Sequence, residues 1–256
     1  MDRLKSRIGR RYDWTPDLPD HRDAVYQVRR RLALPLKVDL SPKCSPVEDQ
    51  GDLGSCTANA LAGALEFLEA VDGTPFKDIS RLFIYYGERA IEHTINQDSG
   101  AQIRDGVKFL HQTGACSEDL WPYNITKFKQ RPTAAAYADA AKRKITLYQR
   151  VTGINALRAC LASGFPVVFG FTVYDGFESD AIARTGKLNL PKPTERVLGG
   201  HAVLAVGYDD AARRVKVRNS WGAGWGLKGY FTMPYDYIGN PQLADDFWTI
   251  RAGQQL

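Results

Sequence analysis

An α+β fold, with helices first and an antiparallel sheet after them, follows from three features of this sequence. Apolar residues recur at helical spacing as far as Pro166, and beyond it the period falls to two in segments rich in β-branched and aromatic residues. Glycines crowd the connections between those later segments. At 256 residues and 44% hydrophobic composition, the chain can bury enough apolar surface to need no metal or disulfide staple.

Residues 1–33 are polar, basic and interrupted by Pro16 and Pro19, and they read as an extended arm with one short helix near Ala24–Leu32. Pro35, Pro42 and Pro46 keep residues 34–49 extended, because proline lacks a donor and biases the residue before it away from helix. That stretch should drape over the fold. From Ser55 to Val71, Cys56, Ala60, Ala64, Leu68 and Val71 recur every three to four residues beside Leu61, Leu65 and Phe67, which predicts a buried helix with Ser55 as its N-cap. Further helices are expected over Ile79–His93, over Gln102–Gln112 with Gly114 ending it, around Thr133–Lys144 and over Ile154–Ser163. Strands are expected over Val167–Tyr174, His201–Tyr208, Val215–Trp221, Tyr230–Met233 and Phe247–Arg251. The chain thus divides into an arm, 1–33, and a body, 34–256, whose helical lobe (roughly 50–150) packs on an antiparallel, barrel-like β lobe (roughly 151–256).

The net charge of +5 is unevenly placed. Residues 1–33 hold nine of the 34 basic and five of the 29 acidic residues, so the remaining body carries only +1 and offers no compositional case for a nucleic-acid partner. The longest uncharged apolar run, Ala159–Tyr174, is broken by Gly164, Pro166 and Gly170, so no membrane insertion is expected. Met1–Lys5 lacks the apolar core of a signal peptide, so a cytoplasmic chain is expected unless a leader has been removed.

Cys56 follows Gly54-Ser55 and opens the strongest helix, where the positive end of the helix dipole favours a thiolate. Alone, such a cysteine is more often core than catalyst. A thiol nucleophile needs a base, and the base needs an orienting group. Of the four histidines, His201 is the one set in a glycine-flanked strand, after Gly199-Gly200, and Asn219 on the next predicted strand could accept its ring N–H. Gln50, six positions before Cys56, could join the Cys56 backbone N–H in an oxyanion hole. No ligand cluster at metal spacing is present, so neither metal nor cofactor is expected.

This constellation resembles the papain-like cysteine peptidases. The resemblance rests on the Gln50-to-Cys56 spacing, the Gly-Ser-Cys helix start, Gly-His-Ala-Val-Leu-Ala-Val-Gly-Tyr at 200–208 and Asn-Ser-Trp-Gly-x-x-Trp-Gly-x-x-Gly-Tyr at 219–230, and it runs from about Leu34 to Arg251. It implies a two-lobe fold with a cleft between the lobes and hydrolysis of peptide bonds through a thioester. Within it Cys56 is the nucleophile, His201 the base and acid, Asn219 the orienter and Gln50 an oxyanion donor, with Trp221 shielding the Asn219–His201 bond. The resemblance places Gly54, Ser55, Gly100, Ala101, Gln102, Gly200, Ala202 and Trp221 along the substrate path, Ser99–Ile103 being the wall that pairs with the substrate backbone.

The sequence departs from that family at Leu53, where a disulfide cysteine usually stands, and at Thr57, where an aromatic usually follows the nucleophile. Cys44, Cys116 and Cys160 are an odd set that cannot all pair. The arm is shorter than the family's usual prosegment; Tyr12 to Asp23, anchored by Trp14, is expected to fold over the cleft and slow the enzyme, a disordered tail being the alternative. A peptide or protein substrate and a monomeric state are expected. Two rivals stand beside this reading: another thiol acyl-transfer enzyme, such as a cell-wall amidase or transglutaminase type, which more often orients its base with His or Asp, and a catalytically silent binding protein on the same fold.

Overall fold

The computed structural model describes residues 10–28 and 33–253. The first helix, α1 (Cys56–Val71), is apolar on nearly every side, and its first thirteen residues are all buried. Such a helix can only run through the middle of a core. Ser55 stands at its N-cap but caps with no side-chain hydrogen bond. Around it pack α2 (Arg81–Ile91), whose N-cap Ser80 accepts from Phe83 N, and α3 (Ile103–Gln112). Gly114 ends α3 with a φ of +86°, and a side chain there would overlap the Ala140 carbonyl. The short α4 (Ala134–Ala140) stops well before Lys144.

Residues 145–150 form β2 (Ile145–Arg150), a strand that the local pattern does not predict; it pairs with the last strand, a partner a hundred residues away. After α5 (Gly153–Ala162) come β3 (Val167–Tyr174), α6 (Asp180–Thr185), β4 (Val197–Asp209), β5 (Arg214–Arg218), β6 (Tyr230–Pro234), α7 (Tyr235–Ile238) and β7 (Ala244–Ala252). All pairings between strands are antiparallel, in the order β2-β7-β3-β4-β5-β6, so the sheet stays open where a closed barrel would join its ends. The extended segment after Leu34 supplies β1 (Lys37–Asp39), which pairs with the end of β4.

β4 explains how the two lobes share one sheet. Ala202, Leu204 and Val206 enter the core built around α1 to α3, whereas Val203, Ala205 and Tyr208 enter a second core with α5, Phe171, Phe177 and Phe231. Alternation sends successive side chains to opposite faces, so a strand buried on both faces reads as a continuous apolar run.

The described part of the arm lies extended across the molecule. Residues 24–28 form no helix: Val25 bridges Arg150, and Tyr26 N donates to the Arg150 carbonyl at 2.8 Å. The rest of the segment expected to be helical, 29–32, lies outside the described residues. Upstream, Trp14 N donates to the Gly200 carbonyl (2.9 Å), Gly200 N to the Tyr12 carbonyl (3.1 Å) and Thr15 N to the Ala101 carbonyl (3.2 Å).

Candidate active site

Cys56 opens α1 and is fully buried; His201 lies on β4 next to Ala202, whose backbone hydrogen-bonds the Cys56 thiol, and Asn219 sits one residue past the end of β5, not within the strand as expected. Asn219 Oδ1 is 2.8 Å from His201 Nε2 and also accepts from Ser220 N at 2.9 Å, which fixes the oxygen end of the amide toward the ring. Nε2 must therefore carry the hydrogen. In the neutral ring that leaves the lone pair on Nδ1, which has no hydrogen-bond partner among the described residues. Trp221 stacks on the imidazole with ring centroids 5.2 Å apart and planes 28° from parallel, so the His201–Asn219 bond is closed off from water.

Burial dominates the electrostatics. It pushes the Cys56 thiol up to about 12, against the pull of the Ala202 and Thr57 backbone, with Glu88 and Asp13 adding to the rise. Burial also pulls His201 down to about 4, opposed by its bond to Asn219 and reinforced by the Arg10 cation. Both shifts disfavour a thiolate–imidazolium pair while the site is closed.

Gln50 is held at three points. Its N–H donates to the Ser220 carbonyl (2.9 Å), its Oε1 accepts from Ser220 Oγ (2.5 Å) and its Nε2 donates to the Leu53 carbonyl (3.0 Å). One N–H of the side-chain amide thus remains to face a ligand. Ser220, directly after Asn219, is thus a fastening point for Gln50 that spacing alone does not reveal.

The remaining sequence-predicted residues divide into two groups. Gly54, Gly100, Ala101 and Gly200 line the groove and touch the arm: a side chain at Gly54 would meet the Asp13 carboxylate, and one at Gly100, whose φ is +67°, would overlap the Asp13 carbonyl. Ala202 lies at the thiol. Ser55 and Gln102 are turned to other duties, since Ser55 Oγ is 2.6 Å from Tyr123 Oη and Gln102 N donates to Glu92 at 2.7 Å. Thr57 Oγ1 donates to the buried Glu88 carboxyl (2.8 Å), a polar contact made by the residue next to Cys56.

The arm fills the groove. Trp14, only 8% exposed, lies against Gly170 and Gly200, where added side chains would overlap its indole. Tyr12 meets the His201 ring edge-on with centroids 6.1 Å apart and donates to Glu178 (2.6 Å). Beyond the cleft Asp17 and Asp23 dock on two arginines: Arg104 donates to Asp23 (2.6 Å) and to the Leu18 carbonyl, and Arg150 pairs with Asp17 (3.0 Å), Asp23 (3.2 Å) and Asp246 (3.1 Å). Trp248 Nε1 donates to Asp17 as well (2.8 Å). Nothing in the pattern of residues 13–23, four aspartates and one arginine around Pro16 and Pro19, sets apart Asp17 and Asp23, whose side chains are buried.

All four cysteines are unpaired. Among the described residues no group of three or more His, Cys, Asp or Glu could hold a metal, and no helix is long and apolar enough to cross a membrane.

The family model of the papain family cysteine proteases matches residues 34–248. Xylellain, a cysteine protease from Xylella fastidiosa, is similar in structure with a TM-score of 0.91 at 46% identity, over 97% of this chain and 98% of that one. An uncharacterized peptidase C1-like protein of Acanthamoeba polyphaga mimivirus is 39% identical over 96% of this chain and 88% of its own length. Pro-cathepsin H of Bos taurus is 30% identical over 74% of this chain, which spans 56% of that protein. With the thiol, imidazole and amide assembled as described, the chain belongs to the papain family and is a cysteine peptidase.

Proposed function

We propose that Cys56, His201, Asn219 and Gln50 carry out peptide-bond hydrolysis and that residues 10–28 hold the enzyme in a blocked state. The observation that carries this reading is the seat of Trp14 between Gly170 and Gly200, with Tyr12 against the His201 ring. A peptide cannot enter while those side chains are in place.

With the cleft open, water reaches the thiol and imidazole, and the desolvation that keeps both neutral is relieved. The proton then passes from Sγ to Nδ1, giving thiolate and imidazolium. The thiolate attacks the peptide carbonyl, and the oxyanion is held by the Cys56 N–H and the remaining Gln50 amide N–H. His201 delivers its proton to the leaving amine. Water, deprotonated by the same nitrogen, then cleaves the thioester. Asn219 keeps the ring in the tautomer that presents Nδ1 to sulfur throughout.

The direction of the arm accounts for its survival in a peptidase cleft. A substrate must place its leaving amine beside His201, so it runs from the Ala101 wall toward Trp221. The arm runs the other way, with Arg10 at Trp221 and Trp14 at Ala101, making parallel bridges to Gly200 and Ala101. Its peptide groups therefore face the nucleophile with the leaving nitrogen on the wrong side. Turnover of an internally quenched peptide by the full chain and by a chain beginning at Leu34 tests the reading. Activity far higher in the shorter chain, abolished by Cys56→Ala, is expected; equal activity of the two would remove the arm from the account.

A further inference from the structure

We propose that Trp221 and Asp49 form a subsite for a cationic substrate side chain, arginine above lysine, on the leaving-amine side of the cut. The proposal rests on the peptidase reading above and names a substrate class for it. The socket is occupied in this structure by the arm's own Arg10. The guanidinium carbon lies 4.3 Å from the Trp221 ring centroid, Nη1 is 3.5 Å from Asp49 Oδ1, and the side chain is only 9% exposed. Burial works against the charge there, and Asp49 is the strongest influence opposing it, with Asp52 adding to the same field.

Both walls belong to the body of the enzyme and not to the arm. Asp49 and Trp221 are joined by an antiparallel backbone bridge, Gly222 N donates to the Glu48 carbonyl at 2.9 Å, and Trp221 packs on Phe177 and Trp225. The socket therefore persists when the arm leaves. Its position follows from Trp221, which stacks on His201, the group that must hand a proton to the departing amine. A side chain over Trp221 thus belongs to the leaving half of a substrate. Glu178, which accepts from Tyr12 at the same end of the groove, adds a further carboxylate to that rim. A planar guanidinium can lie on an indole face while its edge reaches a carboxylate, which a lysine ammonium does less completely.

The test uses the full chain carrying Trp14→Ala and Arg10→Ala, so that the arm is loosened and the socket emptied. Quenched peptides identical except for Arg, Ala or Glu at the first and second positions after the cut are compared by kcat/KM. The arginine peptide is expected to exceed the alanine one about five- to tenfold and the glutamate one by more, at cation–π and half-exposed ion-pair strengths. Adding Asp49→Asn, which retains the oxygen that accepts from Gly51 N at 3.0 Å, should remove about three- to fivefold of that preference and leave the alanine peptide unchanged. As a second readout, the arginine preference should shrink as salt is raised past physiological ionic strength. Equal turnover of the arginine and alanine peptides, or an Asp49→Asn loss shared by both, would overturn the subsite while leaving the peptidase reading intact. No turnover of any peptide would overturn both.

Discussion

Removing the Trp14 side chain should release the arm, and the structure sets the size of the effect. A tryptophan buries roughly 150–250 Å², and at roughly 25 cal/mol/Å² the nearly complete burial of Trp14 favours the docked arm by about 4–6 kcal/mol. Its indole N–H has no hydrogen-bond partner among the described residues, and an unsatisfied buried donor costs about 1–3 kcal/mol, so a net loss of about 3 kcal/mol is expected for Trp14→Ala. That corresponds to about a hundredfold rise in the fraction of molecules with an open cleft. The assay is the second-order rate of inactivation by an epoxysuccinyl peptide, measured on full-length wild type and Trp14→Ala at one pH. The variant should react about a hundredfold faster, or reach the rate of a chain beginning at Leu34 if that ceiling comes first. Wild-type and variant rates within a factor of about two would mean that Trp14 does not gate the cleft.

Other consequences can be read the same way. Gly170→Ala places a methyl group where the Trp14 indole lies, so the full chain should gain reactivity without any change in the arm's own sequence, as measured by the same inactivation rate. Asn219→Ala removes a buried 2.8 Å contact that holds the His201 tautomer; kcat should fall about 10- to 100-fold with KM nearly unchanged, measured on an arm-loosened background. The arm should also respond to pH through Asp17 and Asp246, which face each other among Arg104, Arg150, Asp23 and Asp245. Burial raises both carboxyls, Asp246 to about 7, and undocking would return them toward the ordinary carboxylate range. The docked state therefore binds more protons, so docking is strongest in acid and weakens as pH rises through about 7. The inactivation rate of the full chain, divided by that of a chain lacking the arm, should climb between pH 5 and 8, and Asp17→Asn should flatten the climb.

The residues of the candidate site are legible in the sequence because the chemistry proposed for each leaves a local mark. Cys56 opens a helix that is apolar all round, His201 stands after two glycines in a strand buried on both faces, and Gln50 lies in a glycine-rich turn at fixed distance from the thiol. Elements defined by distant partners left no such mark. β2 is half-exposed and exists because β7 pairs with it, and β1 because β4 has a free edge there. The alternation of Val215 and Val217 predicts a strand that carries Asn219, yet pairing with β6 stops at Arg218 and the Asn219 side chain meets His201. The helix expected near Ala24 gave way, in its described part, to pairing with Arg150, a tertiary contact outweighing a weak local preference. In the sequence Thr57 shows only the loss of an aromatic; its hydrogen bond to Glu88 requires a buried carboxyl from α2 that no spacing rule connects to it.

The most direct test of the central claim is intact-mass detection of a covalent epoxysuccinyl peptide adduct on the full chain carrying Trp14→Ala, beside the same chain carrying Cys56→Ala as well. A single adduct on the first, absent from the second, is the predicted result. No adduct on the first, or an adduct that persists without Cys56, would contradict the assignment of Cys56 as the nucleophile of a peptide-binding cleft.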